Sequence, residues 1–301
     1  MIISIRAAMV VGLALAAARA GNESGDSTID LQGKFPSSVT RAFVLHHYER
    51  IWKTISPEAP LDRRTITIFY YTRRDDRKLS VRLPEWGGGG AVGENLIVIP
   101  LDHSPLPDMD LPQVTVHELT HIALERAYGR LPVPRWFHEG LAMTLSGELS
   151  FDEQVAVSRA VFTGKLMPLD SVDRVNRFDA GEAELAYSES HIAVSWMIDH
   201  YGLDGIPELL GALRTAGTFS RALVQVYGFT DEELDNLVRN YIVERYRGVF
   251  FFSDTYLFWL IGALLLIVAF IAVKIRNDKR KKIMEESDRI EDEVSDEADR
   301  R

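Results

Sequence analysis

Apolar and polar positions recur with different periods in successive parts of the chain. Between residues 65 and 100, β-branched and aromatic residues form the short runs 65–71, 79–83 and 95–100, which are typical of strands. After residue 110, apolar positions instead recur every three or four residues, as on one face of a helix. Strands followed by helices predict an α+β domain, and the sequence shows no internal repeat.

The predicted helices have identifiable ends. Ser37 or Ser38 can cap a first helix that ends before Pro57. Its apolar positions are Val44, Tyr48, Ile51, Trp52 and Ile55. Thr230 and Glu233 have capping-box spacing at the start of a helix over 230–246. The other helices are predicted over residues 110–128, from 135 onwards, and over 151–163, 182–201, 206–215 and 220–227.

The N-terminus has the three parts of a secretory signal peptide. Arg6 supplies the positive charge, residues 7–18 form an apolar run, and Ala18-Arg19-Ala20 is a small-x-small cleavage site. The alternative is an uncleaved membrane helix, but this run is shorter than the ~17–25 residues that cross a bilayer. We therefore predict that residues 1–20 are a cleaved signal peptide.

A second apolar segment lies near the C-terminus. Residues 256–273 carry no charged side chain and follow an apolar lead-in, so 249–273 is predicted to be a transmembrane helix. A buried core helix is the alternative, but helices apolar on all sides and followed by basic residues are rare inside soluble domains. The basic cluster within 274–282 places the charged tail, 274–301, in the cytoplasm. The predicted topology is a single-pass protein of the cell membrane with its N-terminal domain extracytoplasmic, either periplasmic or extracellular.

The tail and the lead-in are both expected to lack a packed core. Residues 285–301 are almost wholly charged, which predicts a solvated tail or a frayed helix. Residues 21–34 are mostly small and polar, which predicts a flexible lead-in with order beginning near Phe35. The exported domain is accordingly placed at residues 35–248.

Composition excludes several classes of site. The chain contains no cysteine, so the exported domain must be stabilised by its core, and thiolate metal ligands and cysteine proteases are excluded. The formal net charge is −10, which argues against a nucleic-acid-binding groove. Four glycines at 87–90 lack the lysine of a phosphate-binding loop. They are interpreted either as a plain loop or as a loop leading into an edge strand that a substrate backbone can approach.

The segment His117-Glu118-Leu119-Thr120-His121 places two imidazoles one helical turn apart with a carboxylate beside them. Positions i and i+4 share a helical face, so both histidines can reach one metal ion. Glu118 lies about 100° further round the helix, close enough to act on a water at the metal. The motif alone is moderately specific, because histidine and glutamate are common on helices.

A catalytic zinc ion needs a third protein ligand, for which Glu139 is the candidate. It lies on the next helix, after the elbow Pro132-Val133-Pro134, where an antiparallel pair of helices can bring it over the histidines. The small residues Gly140 and Ala142 would let these two helices pack closely. The alternative is that Glu139 is an ordinary surface glutamate.

These residues resemble the gluzincin metallopeptidases, most closely the family described as peptidase MA-like. The similarity rests on His117-Glu118-x-x-His121 and Trp136-x-x-Glu139-Gly140-x-Ala142. Further matching segments, which extend it over about residues 35–246, are Pro84-x-Trp86, Ala186-Tyr187-Ser188-x-Ser190 and Tyr201-Gly202.

The resemblance implies a thermolysin-like zincin fold, with a small mixed sheet followed by a helical half. It also implies one Zn²⁺ held by His117, His121 and Glu139, with Glu118 as the general base that assists a zinc-bound water in peptide-bond hydrolysis. Peptides or proteins would be the substrates. The alternative function is a non-catalytic, peptidase-like binding or scaffolding domain at the membrane, although a purely structural metal site has no need of Glu118.

The resemblance also suggests an oxyanion donor on a helix after the third ligand. Tyr187 is the first candidate for this role, and His191, one turn later, is the second. His138 adjoins Glu139 but is expected to project to another side of its helix. No acidic partner for a zinc-bound histidine follows soon after Glu139, since the nearest acid is Glu148.

Overall fold

The computed structural model describes residues 29–72, 88–101, 110–129, 131–147, 151–248 and 254–299. Within these residues the strands form one mixed sheet, which consists of β1 (Ile29–Gly33), β2 (Ile66–Tyr71), β3 (Gly90–Val92) and β4 (Leu96–Pro100). The strand order is β1-β2-β4-β3, with β1, β2 and β4 parallel and β3 antiparallel to β4. Strand β3 therefore forms one edge of the sheet.

Two of the strand predictions are confirmed and two features of the sheet were not foreseen. The runs 65–71 and 95–100 correspond to β2 and β4, whereas 79–83 lies outside the described residues. The strand after the glycines was expected to be an edge, but β4 lies between β2 and β3. The edge strand on this side of the sheet is β3, which begins at Gly90. Gly90 pairs with Val98 of β4.

The expectation that order begins near Phe35 is wrong, because β1 lies within the segment predicted to be flexible. Ile29 is buried and pairs with Ile66, and the register continues to Gly33 opposite Tyr70. The sequence of β1, Ile-Asp-Leu-Gln-Gly, is too short and polar to predict a strand by itself. Its order comes from pairing with β2, about 37 residues further along the chain.

The helices follow the predicted series. They are α1 (Arg41–Ile55), α2 (Leu111–Tyr128), α3 (Arg135–Ser146), α4 (Phe151–Thr163), α5 (Ala180–Tyr201), α6 (Gly205–Ala216), α7 (Phe219–Tyr227) and α8 (Asp231–Tyr246). A 3₁₀ segment, Leu169–Arg177, lies between α4 and α5 and was not predicted. The α+β class, with a small mixed sheet followed by a helical half, is confirmed.

Local signals account for most of the helix ends. The five apolar positions predicted for α1 are all buried, but the cap is Thr40, whose side chain accepts from the Phe43 N–H, and not Ser37 or Ser38. The capping box of Thr230 and Glu233 at the start of α8 is confirmed. An equivalent box begins α5, where Asp179 and Glu182 satisfy each other's backbone N–H groups.

Helix α2 lies at the centre of the domain and packs against α1, α3, β3 and β4. Helix α3 packs in turn against α5. Gly140 was expected to bring α3 close to α2, but its close approach is to α5: a Cβ there would lie 2.2 Å from the Ser190 carbonyl oxygen. A side chain at this position would therefore push α3 and α5 apart.

Arg126 anchors the C-terminal part of α2 to the sheet. Its side chain is 0% exposed and lies 3.6 Å from the Asp62 carboxylate. The guanidinium donates to groups on α1 and next to β2 and β4, namely the Tyr48 hydroxyl, the carbonyls of Arg64, Thr65 and Glu94, and Asn95 Oδ1. Because α2 also carries His117 and His121, these bonds fix the two histidines relative to the sheet.

Glu189 is a buried carboxylate on the inner face of α5. It is 2% exposed, and its two oxygens accept the Met167 N–H at 3.0 and 3.1 Å. Burial raises the pKa of Glu189 to about 8, although this hydrogen bond and the charge of Arg239 act in the opposite direction. The folded protein therefore keeps a proton on Glu189 at pH values where the unfolded chain has lost it.

We expect Glu189→Gln to stabilise the protein at pH 8. Because the pKa of Glu189 is raised, the free energy of unfolding falls as pH rises from 4.5, the ordinary pKa of a glutamate, to about 8. Glutamine keeps an acceptor oxygen for the Met167 N–H and does not ionise. Even one pKa unit corresponds to about 1.4 kcal/mol, or about 3–5 °C in Tm for a domain of this size. Thermal unfolding at pH 5 and pH 8 measures the effect, with the exposed Asp199→Asn on the same helix as control. An equal Tm for Glu189→Gln and wild type at pH 8 would contradict it.

The second compact unit is residues 248–301, and it contains α9 (Asp254–Asp299). Its segment Trp259–Glu285 is long and apolar enough to cross a membrane, and none of it is buried within the protein. The backbone stays helical through the predicted tail as far as Asp299.

Candidate metal centre

Two histidines on α2 form one side of the centre. His117 and His121 lie one turn apart, with ring centroids 4.9 Å apart and ring planes at 73°. Their side chains are 17% and 19% exposed, so both are largely enclosed but reachable from solvent. This face of α2 is the one predicted from the i, i+4 spacing.

Glu139 lies opposite them on α3, which begins directly after Pro134. Its Oε2 atom is 3.5 Å from His117 Nε2 and 3.4 Å from His121 Nε2. The three side chains offer ligand atoms that all lie within 4.8 Å of one another. The structure thus brings together the three residues predicted as metal ligands.

The spacing fits a small tetrahedral ion. Nitrogen and oxygen ligands lie ~2.0–2.2 Å from zinc, so two ligands of a tetrahedron are about 3.3–3.6 Å apart. The two distances from Glu139 Oε2 to the histidines fall in this range. Two imidazoles and one carboxylate, with one position left open, are a donor set typical of catalytic zinc.

The charges also suit a cation. Burial raises the pKa of Glu139, but the charges of His121 and His117 and their hydrogen bonds outweigh this effect and hold that pKa well below its ordinary value. Glu139 is therefore a carboxylate in a mostly enclosed position, 12% exposed. A divalent ion would compensate its charge and satisfy both imidazoles.

Arg135 is a neighbour of the centre that was not predicted from the sequence. Its Nε donates to Glu139 Oε1 at 3.3 Å, one helical turn away on α3. No acidic partner was expected soon after Glu139, and the nearest acid, Glu148, lies outside the described residues. The i, i+4 spacing of Arg135 and Glu139 was the available signal, but such pairs are common on helix surfaces.

Glu118 is buried on α2, 6% exposed, and Gly89 lies close to its side chain. A Cβ at Gly89 would stand 3.0 Å from Glu118 Oε1 and 3.0 Å from Val114 Cγ1. Any side chain at position 89 would therefore press on the carboxylate. Gly89 thus lets the backbone that leads into β3 pass close to Glu118, which explains why a residue without a side chain occupies position 89.

Tyr187 lies on α5 within electrostatic range of both glutamates. Burial, and then the Glu139 and Glu118 carboxylates, raise the pKa of Tyr187 far above its ordinary value, against the opposing charge and hydrogen bond of Arg135. The phenol is therefore protonated and able to donate at any pH near neutrality. His191, the second candidate, is buried one turn further along α5.

His138 does not project away from the centre as expected. Its ring lies 6.1 Å from that of His121, at an interplanar angle of 28°. Burial, together with the neighbouring His121, lowers the pKa of His138 to about 4. His138 therefore packs as a neutral ring beside one of the candidate ligands.

Comparison with known proteins agrees with this geometry. Residues 57–244 match the family model described as the Peptidase MA superfamily. The matched segment begins after α1 and includes all the residues of the centre. None of the curated proteins compared with the chain matches it. Since the family model covers more than half of the sequence, the chain belongs to the Peptidase MA superfamily.

Proposed function

We propose that the chain is a membrane-anchored zinc peptidase of the gluzincin type, with its active site outside the cytoplasm. The observation that carries the proposal is the convergence of His117, His121 and Glu139, with the buried Glu118 on the same turn of α2. A structural zinc site has four protein ligands and no use for a base such as Glu118. The superfamily match gives independent support.

His117, His121 and Glu139 are assigned as the ligands of one Zn²⁺. When bound, zinc would act as a Lewis acid that lowers the pKa of water towards about 7 and polarises a peptide carbonyl. Glu118 is assigned as the general base: its carboxylate takes the proton from the attacking water and delivers it to the departing amine. Burial beside Gly89 restricts the movement of Glu118, which keeps it oriented for both transfers.

Tyr187 is assigned as the donor to the oxygen that becomes negatively charged as the carbonyl is attacked. Its raised pKa keeps the hydroxyl proton in place, so the group can donate a hydrogen bond and does not compete as an anion.

The peptide is expected to bind along β3. This strand is an edge of the described sheet, and Gly89, which directly precedes it, lies close to Glu118. An extended peptide added to this edge would make backbone hydrogen bonds and bring a carbonyl towards the metal centre. Backbone bonds of this kind recognise a peptide without requiring one particular sequence.

The proposed location follows from the two ends of the chain. The uncharged part of α9, residues 256–273, would cross the membrane, and the basic residues from Lys274 to Lys282 that follow it would stay in the cytoplasm. The signal peptide at residues 1–20, which lies outside the described residues, would export the domain. The catalytic domain would then act on peptides or proteins at the outer face of that membrane.

Removal and return of the metal test the proposal. Purified full-length protein in detergent should cleave a peptide mixture, lose this activity after treatment with a zinc chelator, and recover it with one equivalent of Zn²⁺. Heat-treated protein given the same zinc serves as the control for cleavage by contaminants. Hydrolysis that continues unchanged in the metal-free protein would contradict the proposal.

A further inference from the structure

Arg135 bonds to two groups of the proposed active site at once. Its Nε donates to Glu139 Oε1 at 3.3 Å, and its guanidinium also hydrogen-bonds the Tyr187 hydroxyl. One side chain therefore joins the proposed third ligand on α3 to the proposed oxyanion donor on α5. Neither contact belongs to the assigned chemistry of ligands and base.

The two oxygens of Glu139 have separate partners. Oε2 faces the two histidine Nε2 atoms at 3.5 and 3.4 Å, whereas Oε1 faces Arg135. A carboxylate on a flexible side chain can otherwise rotate and offer either oxygen, or both, to a metal. The arginine bond removes this freedom, so that a single oxygen is presented towards the histidines.

Burial distinguishes this pair from an ordinary ion pair on a helix surface. The side chains of Arg135 and Glu139 are 20% and 12% exposed, so solvent screens their interaction only in part. Exposed i, i+4 pairs stabilise a helix only weakly and have no effect on a distant site. Here the acceptor is itself a candidate ligand, so a change at Arg135 alters the ligand directly.

We propose that Arg135 is a positioning residue, which holds Glu139 ready to bind zinc through Oε2 and fixes the Tyr187 hydroxyl beside it. The proposal rests on the proposed zinc peptidase function. It extends that function by making metal affinity and oxyanion donation depend on the same guanidinium. Residues that orient metal ligands typically change metal affinity or activity by 10–100-fold when they are replaced.

The first test measures the Zn²⁺ dissociation constant of the purified full-length protein by competition with a chromophoric chelator. Arg135→Met, which keeps much of the side-chain volume, should weaken zinc binding about 10–100-fold, and Arg135→Lys should recover part of the loss. The matched control is Arg50→Met, since Arg50 donates to the Leu145 carbonyl at the other end of α3. The control should bind zinc as the wild type does.

Two results would overturn the inference while leaving the peptidase proposal intact. One is wild-type zinc affinity in Arg135→Met, and the other is an equal loss in Arg50→Met, which would indicate general loosening of α3. A wild-type protein that binds no zinc would instead overturn the proposed function, and this inference with it. Thermal unfolding of the metal-free variants shows whether the two arginine replacements destabilise the fold equally.

The second test separates the effect on Tyr187. For the peptide that the wild type cleaves fastest, Tyr187→Phe should lower kcat about 10²-fold with little change in KM, as loss of one oxyanion donor does. In zinc-saturated Arg135→Met the same replacement should cost much less, because the phenol is no longer held in place. Full additivity of the two substitutions in kcat would contradict the positioning of Tyr187 by Arg135.

Discussion

Glu139→Ala is expected to weaken zinc binding by more than about 100-fold, because even residues that only support a ligand cost 10–100-fold. With alanine at position 139, the site keeps only the two ligand nitrogens of His117 and His121 and has no carboxylate to compensate the charge of the ion. Glu139→Gln should also bind zinc poorly, since its neutral amide is a weak ligand although it keeps an acceptor for Arg135. Metal content after dialysis against a known free zinc concentration measures both.

The matched control is Glu125→Ala. Glu125 lies on α2 one turn beyond His121 and is the acid that would serve as ligand if the metal were bound along a single helix. It is outside the group formed by the histidines and Glu139, so its loss should leave zinc content unchanged. Stoichiometric zinc in Glu139→Ala would remove Glu139 from the ligand set, and loss of zinc in Glu125→Ala would contradict the placement of Glu125 outside the site.

Glu118→Gln is expected to keep zinc and lose hydrolysis. The amide has the shape of the carboxylate and fits the same buried space beside Gly89, so the fold and the ligands should not change. It cannot accept the proton of the attacking water, and general base catalysis contributes about 10²–10⁴-fold to rates of this kind. We therefore expect kcat to fall by a factor in that range at unchanged zinc content.

Glu125→Gln is the matched control for this prediction, since it makes the same chemical change on the same helix. It should cleave at the wild-type rate. If Glu118→Gln cleaves peptides as fast as wild type while holding zinc, the catalytic assignment is wrong and a binding domain becomes the better account. If it loses its metal as well, the substitution has disturbed the ligands and Glu118→Asp, which keeps a shortened base, becomes the informative variant.

The helices could be predicted because the signals that determine them are local. The box of Thr230 and Glu233 and the buried face of α1 depend on residues within one or two turns. Strand β1 could not be predicted in this way. Its five residues become ordered by pairing with β2, and nothing within them indicates that partner.

The residues of the candidate site that belong to spaced motifs could be predicted from the sequence. Helical periodicity predicts that His117 and His121 share one face of α2. The proline-containing elbow before α3 predicts that Glu139 returns to that face. Arg135 could not be assigned from spacing alone, because an arginine one turn before a glutamate is usually a solvent-exposed pair. Its role depends on the fold, which places Glu139 between the arginine and the histidines.

Contacts between distant segments explain the remaining differences. Gly140 was assigned correctly as a position of close packing, but its neighbour is Ser190 on α5, 50 residues away, and not α2. The glycines at 87–90 were interpreted either as a plain loop or as an approach for substrate, and the structure adds that a Cβ at Gly89 would stand 3.0 Å from Glu118 Oε1. In both cases the residue type indicated tight space, while the partner depended on the fold.

The most direct test of the central claim compares peptides released by membranes that carry the wild-type protein with those from membranes carrying Glu118→Gln. Mass spectrometry of new chain ends identifies cleavages even when the substrate has not been identified beforehand. We predict a set of peptides released only by the wild type, abolished by a zinc chelator and restored by Zn²⁺. Identical peptides from both membranes would contradict the account of this chain as a zinc peptidase.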